Sequence, residues 1–327
     1  MSTCTLPPVT FLLISYNQQD YIGEALAGAL AQDYPNLEIV ISDDASQDAT
    51  YRVLQEQLAN YAGPHRIKLH RNEQNIGIGA NLDQAVRQSS GELIFIAGGD
   101  DVSLPNRVSA VVNFWLQEKR RPDLIAAYLY DTTQSGERLG TIRIAELGDY
   151  HSINDWCRSP PHVIGAAQAW TRRLFDRFDG LPKGVVGEDM LMAFRAIGSA
   201  GACTLPIPLV NYRRGGLTSK RKLLSATEVI RGLTRKLESS RIELRQMLKE
   251  APELGANSSL LQMLEQRLDK ENFIDGMFSG NGFAKQLKLC LHYRSLPLDF
   301  RVRILTYAAA PWLLAPFFFL KRLRYRH

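Results

Sequence analysis

Residues 93–101 read LIFIAGGDD: five apolar residues are followed by two glycines and two aspartates. A short apolar run that ends at polar residues is typical of a parallel β-strand that is covered on both faces. The sequence predicts three more strands upstream, at Val9–Ser15, Leu37–Ser42 and Ile67–His70. We therefore expect a buried parallel sheet in which the two aspartates follow the carboxyl end of one strand.

Helical spacing of apolar residues separates these strands and continues after them. Alternating strands and helices are typical of a doubly wound α/β fold with a mainly parallel sheet. Two of the predicted helices are Ile22–Ala31 and Gly79–Gln88. Between them lies a helix that is capped by Asp48 or Thr50 and ends near Asn60. A fourth helix runs from Pro105 to about Lys119, and a fifth strand follows at Leu124–Tyr130.

The rest of the chain is first irregular and then helical. Residues 131–187 have many turn residues, which predicts a partly antiparallel region before a helix at Glu188–Ala200 and a strand at Leu209–Arg213. Residues 222–270 are amphipathic and broken near Pro252–Asn257, which favours a helical hairpin over a surface for self-association or membrane contact. We expect one domain over residues 1–219 and a helical C-terminal region over residues 220–327.

Positive charge is concentrated at the C-terminus. The chain of 327 residues has a net charge of +5, and from Phe283 onward nine Lys and Arg residues face one acid, Asp299. The apolar stretch Leu305–Leu320 is shorter than the roughly 20 residues that span a bilayer. Because Trp312 and a cluster of phenylalanines stand beside the basic residues, the pattern favours an interfacial or re-entrant membrane anchor over nucleic-acid binding. The alternative is a buried C-terminal helix with a solvated basic end.

The four cysteines, Cys4, Cys157, Cys203 and Cys290, lie far apart and lack metal-ligand spacing. The apolar run that begins at Val9 is too short for a signal peptide. These features predict free thiols and a reducing cytosol.

Polar residues follow each of the first four predicted strands, and ligands of an open parallel sheet bind beyond such strand ends. No GxGxxG follows the first strand and no GxxxxGK[ST] occurs, so a glycine loop for phosphate is missing. Clustered carboxylates instead hold Mg²⁺ or Mn²⁺, which neutralise a bound diphosphate. The alternative for Asp100 and Asp101 is helix capping ahead of Pro105.

Seven short pieces of the chain form a recognisable combination: Ile14–Asn17, Ile41–Ser46, Asn75–Gly77 with Asn81, Ser90–Glu92, Asp100-Asp101, Gly187–Asp189 and Tyr212–Arg214. Together they resemble glycosyltransferase family 2, the inverting enzymes with the GT-A fold. The resemblance covers roughly residues 9–219, as a nucleotide-sugar-binding and catalytic domain.

The resemblance implies a donor site and one metal ligand. Asp100 corresponds to the metal-binding acid of the family, whose motif reads Asp-x-Asp, and Gly98 stands in place of its first acid. Ala80 departs in the same way from an arginine that is frequent in the family. The implied donor-binding residues are Ser15, Tyr16 and Asn17 for the nucleoside, Asp44 or alternatively Asp43 for the base or ribose, Arg71, Asn75, Asp101, Arg213 and Arg214.

The resemblance also implies the groups on the acceptor side. Asp189 is the expected catalytic base because it corresponds to the second acid of the family's Glu-Asp pair, and Glu188 would orient it or the acceptor. Arg213 and Arg214 would close over the diphosphate as a lid, or alternatively form a solvated basic turn. Trp170 would stack on an acceptor sugar, or alternatively lie in the core.

The resulting expectation is a transferase that uses a UDP- or dTDP-linked sugar and a polyprenyl-linked oligosaccharide acceptor for bacterial surface polysaccharide. It would bind the inner face of the plasma membrane peripherally, without nucleic acid, and possibly self-associate. A non-catalytic nucleotide-sugar-binding protein and, less favoured, a nucleotidyltransferase remain as alternatives. A processive synthase is disfavoured because the chain has neither several spanning helices nor a Gln-x-x-Arg-Trp motif.

Overall fold

The computed structural model describes residues 6–213, 225–280 and 282–324. The chain divides into two compact units, one within Met1–Ser219 that also includes Glu253–Gly255, the other within Lys220–Pro252 and Ala256–His327. The first unit is mixed α/β and the second is helical.

Nine strands of the first unit form one sheet in the order β3-β2-β1-β4-β8-β6-β9-β5, with β7 paired to β6. The strands β1 to β4 are parallel, whereas β8 is antiparallel to both of its neighbours. The strands are β1 Val9–Ser15, β2 Leu37–Asp43, β3 Arg66–Arg71, β4 Leu93–Gly98, β5 Val102–Ser103, β6 Leu124–Thr132, β7 Arg138–Ile142, β8 Gln168–Thr171 and β9 Ala202–Arg213.

Helices cover the sheet and enclose its core. Every residue of β1 and β2 is buried, as expected for apolar runs between two layers of helices. The helices are α1 Ile22–Leu30, α2 Thr50–Ala59, α3 Ile78–Arg87, α4 Arg107–Gln117, α5 Arg172–Arg177 and α6 Glu188–Ile197.

The register of the parallel strands brings their carboxyl ends together. Ser15 is paired with Asp43, and Asp43 is paired with Arg71 on the other side. Gly98 is paired with Ile14, the residue before Ser15. The predicted meeting of four strand ends at one edge of the sheet is therefore confirmed.

The second half of the sheet differs from the prediction. Leu124–Tyr130 lies in the sixth strand rather than the fifth, because Val102–Ser103 forms a short strand of its own. In the sheet, β8 lies between β4 and this sixth strand. β8 has only four residues, two of them polar, so its apolar pattern is too short to recognise. β9 begins at Ala202, seven residues before the predicted Leu209, and its register shifts against β6 where two prolines interrupt it.

The second unit consists of six helices in its described residues, with a 3-10 turn at Pro311–Leu314. The predicted helical hairpin is formed by α8 and α9. The core of the second unit includes Leu237 and Phe273 of this hairpin together with Ile304 of α11. The helices are α7 Ala226–Thr234, α8 Leu237–Glu250, α9 Ser258–Phe278, α10 Phe283–His292, α11 Leu298–Ala309 and α12 Ala315–Arg324.

No single helix of the described chain has the length and apolar character of a membrane span. Leu298–Ala309 and Pro311–Lys321 meet that test only as a pair, and the two helices are bent by 111° at the break between them.

Candidate active site

Two acidic side chains lie together at the carboxyl end of β4. A Cβ atom placed on Gly98 would lie 3.1 Å from Oδ1 of Asp100 and 3.6 Å from Oδ2 of Asp101. Both carboxylates therefore approach the same side of Gly98. Gly99 makes a similarly close approach, because a Cβ atom there would lie 2.4 Å from Oε1 of Gln18.

The carboxylates of this turn are shielded from water. Burial raises the pKa of Asp100, although Arg213 and a hydrogen bond from Gln18 oppose the effect. Burial and the charge of Asp100 raise the pKa of Asp101 to about 8, against the attraction of Arg107 and Arg213. Burial in this turn thus disfavours the ionised form of both carboxyl groups, and the nearby arginines offset this only in part.

Arg107, at the start of α4, is the buried cation beneath this turn, and only 1% of it is exposed. Its guanidinium donates to Oγ of Ser103 at 2.9 Å and to the carbonyl oxygens of Ile96 and Gln168 at 2.9 and 3.1 Å. It joins the end of β4 to the start of β8. No motif in the sequence indicates Arg107, and its spacing four residues after Ser103 is the only local signal of it.

Arg213 ends β9 against the same turn. Its backbone N–H donates to Oδ1 of Asp101 at 2.9 Å, and its Nε donates to the carbonyl oxygen of Asp100 at 3.0 Å. Its guanidinium also donates to Glu24 at 2.8 Å and lies 4.6 Å from the centre of the Tyr21 ring. The role of Arg213 as a lid over the diphosphate stays a prediction. In the structure the residue is buried and is held by contacts with at least three elements.

The acids that follow β2 are occupied by hydrogen bonds within the protein. Asp43 accepts from the hydroxyl of Ser15 at 3.2 Å and from the hydroxyl and N–H of Ser46 at 2.5 and 3.0 Å. Asp44 accepts from Asn72 at 2.8 Å and from the N–H groups of Ile76 and Gly77, each at 2.9 Å.

Asp43 and Asp44 are 0% and 3% exposed. As they stand in the structure, both carboxylates therefore hold loops in place, and neither presents an open face to a base or ribose.

The remaining donor candidates lie at the same edge and differ in exposure. Tyr16 is 45% exposed, whereas Ser15 is buried. Asn17 has a φ of 51° and accepts a hydrogen bond from the N–H of Gln47 at 2.8 Å. Arg71 donates to the carbonyl oxygen of Ser46 at 2.7 Å and lies 4.9 Å from the centre of the Tyr51 ring.

Asn75 is exposed. Its side chain approaches the carbonyl oxygen of Asp44 at 3.4 Å. Tyr16 and Asn75 thus keep accessible surface for a ligand. Arg214 lies outside the described residues.

Glu188 and Asp189 begin α6, as predicted. Oδ1 of Asp189 accepts from the N–H of Met190 at 2.8 Å, and burial raises the pKa of Asp189 although the nearby His162 opposes this. A Cβ atom on Gly165 would lie 3.3 Å from Oε1 of Glu188 and 3.4 Å from Cβ of Asp189. Gly165 therefore lies directly against both acids. A carboxyl group with a raised pKa is suited to accept a proton near neutral pH.

Gln168 connects the two acidic groups. Its carbonyl oxygen accepts from Arg107 at 3.1 Å, and its side-chain amide donates to the carbonyl oxygen of Asp189 at 3.2 Å. The path from the turn after β4 to the start of α6 therefore runs through Arg107 and Gln168.

The sequence model of the family described as Glycosyl transferase family 2 matches residues 10–177, which is just over half of the chain. The chain belongs to this family. The match includes the first four strand ends and β8, whereas the helix with Asp189 lies beyond it.

Two relatives illustrate the sequence similarity. EpsE of Bacillus subtilis, which is named as a glycosyltransferase, is 31% identical over 132 residues, which cover 40% of this chain and 46% of EpsE. Chondroitin synthase of Escherichia coli is 33% identical over 137 residues, which cover 42% of this chain and 19% of that enzyme. The aligned part of the chain thus spans less than half the length of these relatives.

Solved structures show the fold. TarS of S. aureus in complex with UDP has a TM-score of 0.56 and 16% identity, covering 86% of this chain and 78% of TarS. The mannosyltransferase PcManGT of Pyrobaculum calidifontis, in complex with GDP-Man and Mn²⁺, has a TM-score of 0.55 and 17% identity, covering 95% and 87% of the two chains. The predicted GT-A fold is confirmed.

The carboxylate oxygens at the turn after β4 are suitable ligands for a divalent cation. Two carboxylates of one turn share a buried place, and Mg²⁺ is commonly held by one or two carboxylates together with substrate phosphates. Within residues 6–213, 225–280 and 282–324, no cluster of three or more His, Cys, Asp or Glu side chains stands ready for a metal. Asp100 and Asp101 alone can supply two carboxylate ligands, the number with which proteins commonly hold Mg²⁺ beside substrate phosphates.

Trp170 occupies the core, which was the alternative to stacking on an acceptor sugar. It lies in β8, is 0% exposed, and donates from Nε1 to Oε1 of Gln168 at 2.7 Å. A fully buried ring has no face for a sugar, so Trp170 is a core residue that fixes Gln168.

Proposed function

We propose that this chain transfers a sugar, with inversion, from a nucleoside diphosphate sugar to an acceptor hydroxyl. One observation carries the proposal above all others. Arg107 attracts Asp101 by its charge and donates to the carbonyl oxygens of Ile96 in β4 and Gln168 in β8. The Gln168 side chain in turn donates to the backbone carbonyl of Asp189, in the first turn of α6. A diphosphate site and a base are thereby built on one rigid frame.

The chemistry follows from the charges of these residues. Asp100, supported by Asp101, would hold Mg²⁺ or Mn²⁺, which stabilises negative charge on the departing nucleoside diphosphate. Asp189 would remove the acceptor hydroxyl proton as that oxygen forms the new glycosidic bond, because a single displacement needs one base on the acceptor side. Glu188, packed beside Gly165, would orient the acceptor.

A nucleotide-sugar donor is supported by the fold and by two neighbours. TarS binds UDP and PcManGT binds GDP-Man with Mn²⁺. In this chain, we assign contact with the nucleoside to the exposed Tyr16 and Asn75. We assign support of that surface to Ser15, Asn17 and Arg71 together with Asp43 and Asp44. UDP- and dTDP-linked sugars are the first donors to test.

For the acceptor, we propose a polyprenyl-linked glycan of a bacterial surface polysaccharide at the inner face of the plasma membrane. The likeness to a chondroitin synthase supports a role in polysaccharide synthesis. The basic, apolar C-terminus supports docking at a membrane. Deletion of the residues after Arg301 is expected to weaken binding to membranes, and unchanged partition would refute this part of the proposal.

The test of the transferase is a donor screen with product analysis. Purified full-length protein is mixed with UDP-, dTDP- or GDP-sugars, with or without Mn²⁺, and release of the nucleotide is measured. Asp189→Asn should abolish transfer, whereas the exposed control Asp33→Asn should keep it. The anomeric configuration of the product then tests inversion, and a retained configuration would contradict the proposed mechanism.

A non-catalytic nucleotide-sugar-binding protein is the second candidate, because Gly98 leaves the turn with two acids only. It predicts that the donor binds equally well to wild type and to Asp189→Asn, and that neither protein releases nucleotide. Failure of every nucleotide sugar to bind at any metal concentration would contradict both candidates.

A further inference from the structure

Exposed apolar side chains are concentrated in the last part of the second unit. In the described part of the chain, fifteen large apolar side chains are exposed, and ten of them lie within a stretch of 38 residues. Such a concentration on a protein surface marks a site of interaction. The ten are Phe283, Leu287, Leu291, Leu298, Val302, Trp312, Leu313, Phe317, Phe319 and Leu320.

Helix α10 presents three of these side chains on one face. Phe283, Leu287 and Leu291 are spaced four residues apart and are 61%, 45% and 55% exposed. The opposite face packs inward, where Gln286 donates to the carbonyl oxygen of Met277 at 3.2 Å and Leu289 contacts Gly276. The exposed face is therefore not turned toward the core of its own unit.

Helix α11 repeats this division. Phe300 and Ile304 are buried in the core of the second unit, whereas Leu298 and Val302 are 66% and 52% exposed. The helices α10 and α11 contact each other, and α11 contacts the turn that carries Trp312. The apolar faces thus belong to consecutive elements that are in contact.

Helix α12 continues the same pattern. It buries Phe318 and exposes Phe317 and Phe319, at 57% and 58%. Because successive residues of a helix are rotated by about 100°, three consecutive phenylalanines cannot all face the same core.

The charge around these faces selects the partner. Between Phe283 and Lys321 there are six Lys and Arg residues and one acid, Asp299. On α10, at about 100° per residue, the exposed Lys288 lies about 100° from Leu287, next to the apolar face, whereas the exposed Lys285 lies about 160° away from Leu287 on the other side of the helix. A second copy of the chain would bring the same positive charge to the contact, whereas a surface of anionic lipid provides the opposite charge.

We propose that α10 and α11, together with the C-terminal turn and α12, form a surface that lies in the interface of an anionic membrane. The proposal extends the contact from the tail to helices that precede it. The bend of 111° between Leu298–Ala309 and Pro311–Lys321 suits helices that lie in the plane of the interface. The proposal concerns membrane placement and does not depend on transfer of a sugar.

Trp312 provides a direct signal for the test. It is 71% exposed, whereas Trp115, Trp156 and Trp170 are at most 2% exposed. When vesicles of phosphatidylcholine with phosphatidylglycerol are added to the full-length protein, the emission of Trp312 should shift to the blue. Phosphatidylcholine alone should give a weaker response, and added salt should weaken the response to the anionic vesicles.

Lipids brominated near the headgroup should quench Trp312 more strongly than lipids brominated near the chain ends, because the surface lies at the interface. The opposite order of quenching would refute the in-plane placement.

The decisive variant keeps the whole tail. Phe283→Ser/Leu287→Ser/Leu291→Ser should weaken vesicle binding by roughly tenfold or more, because it removes three half-exposed apolar side chains. The matched control Leu139→Ser/Ile207→Ser changes side chains that are 49% and 40% exposed in the first unit, and it should bind as wild type does. Circular dichroism of each variant checks that the helices are retained.

Several results would overturn the proposal. Wild-type binding by the α10 variant would restrict the contact to the tail, and no blue shift with any vesicle would refute a lipid partner. Light scattering that finds a wild-type oligomer, converted to a monomer by the α10 variant, would replace the membrane with a second copy. Donor hydrolysis, measured on the same samples, should not change in the α10 variant, so failure of this inference is distinct from failure of the transferase proposal.

Discussion

Replacement of Arg107 by methionine tests whether the frame of the site depends on one buried cation. The guanidinium satisfies Ser103 and two carbonyl oxygens at 2.9 to 3.1 Å. It also lies 5.6 Å and 5.8 Å from the ring centres of Phe11 and Phe95. Burial lowers the pKa of Arg107 to about 9, so the group is charged at neutral pH and attracts Asp101.

Arg107→Met fills most of the volume and leaves these acceptors without a donor. A buried polar group that loses its partner costs about 1–3 kcal/mol, and this variant leaves three such acceptors, Ser103 and the carbonyl oxygens of Ile96 and Gln168. Because the acceptors can rearrange, we expect a loss of about 3–5 kcal/mol rather than the sum. Arg107→Lys keeps the charge without the planar fork and should lose roughly half of that.

The assay is urea unfolding followed by the fluorescence of the three buried tryptophans, in a Trp312→Phe background. The matched control is Arg52→Met, because the Arg52 side chain is 71% exposed and pairs with Glu56 on the surface. The control should change stability by less than about 0.5 kcal/mol. A free energy of unfolding for Arg107→Met within about 1 kcal/mol of wild type would refute the reasoning.

Three further variants test individual roles. Burial raises the pKa of Asp189, so kcat/KM should rise with pH through a range above the usual carboxyl value of roughly 4, and a profile flat across that range would contradict its role as the base. Arg213→Gln removes the guanidinium hydrogen bonds to Asp100 and Glu24. It should lower the free energy of unfolding by about 2 kcal/mol and raise the KM for the nucleotide sugar. Unchanged KM and stability would contradict its positioning role. Trp170→Phe should lose about 1–2 kcal/mol of stability with an unchanged KM for the acceptor, whereas a selective rise in that KM would restore the acceptor role.

The parallel half of the fold was predictable because its signals are local. Val9–Ser15 is fully buried as its apolar run indicates, and the polar residues that follow each run mark the carboxyl ends. The rule that ligands bind beyond those ends then places the turn at Asp100 at the same edge of the sheet as Asp43, without knowledge of any contact. The start of α6 was predictable in the same way, because two acids precede an apolar helical pattern.

The connections that hold the site together were not predictable. Gln168 is a single polar residue in a four-residue strand, and its partners Arg107 and Asp189 are 61 and 21 residues away. Trp170 shares that strand, so its burial depends on strand pairing that no local pattern encodes. The hydrogen bonds that occupy Asp43 and Asp44 were not predictable for a related reason: their partners come from loops whose approach only the folded chain determines.

Gly98 has one interpretation in the sequence and another in the structure. In the sequence it stands where the family has an acid, which suggests a lost ligand. In the structure, the carboxylates of Asp100 and Asp101 occupy the space beside it, so the glycine makes room for them. An added carboxylate would then crowd two groups whose pKa values are already raised by burial.

Gly98→Asp is therefore expected to destabilise the metal-free protein more than the uncharged Gly98→Asn, which has nearly the same shape. The difference should be roughly 1–3 kcal/mol at about pH 8, where the added group is ionised, and should shrink toward about pH 5 as the clustered carboxyl groups take up protons. Urea unfolding of both variants at the two pH values measures it. Equal stabilities at the higher pH would mean that the two carboxylates do not share the space beside Gly98, and the glycine would again be only a missing ligand.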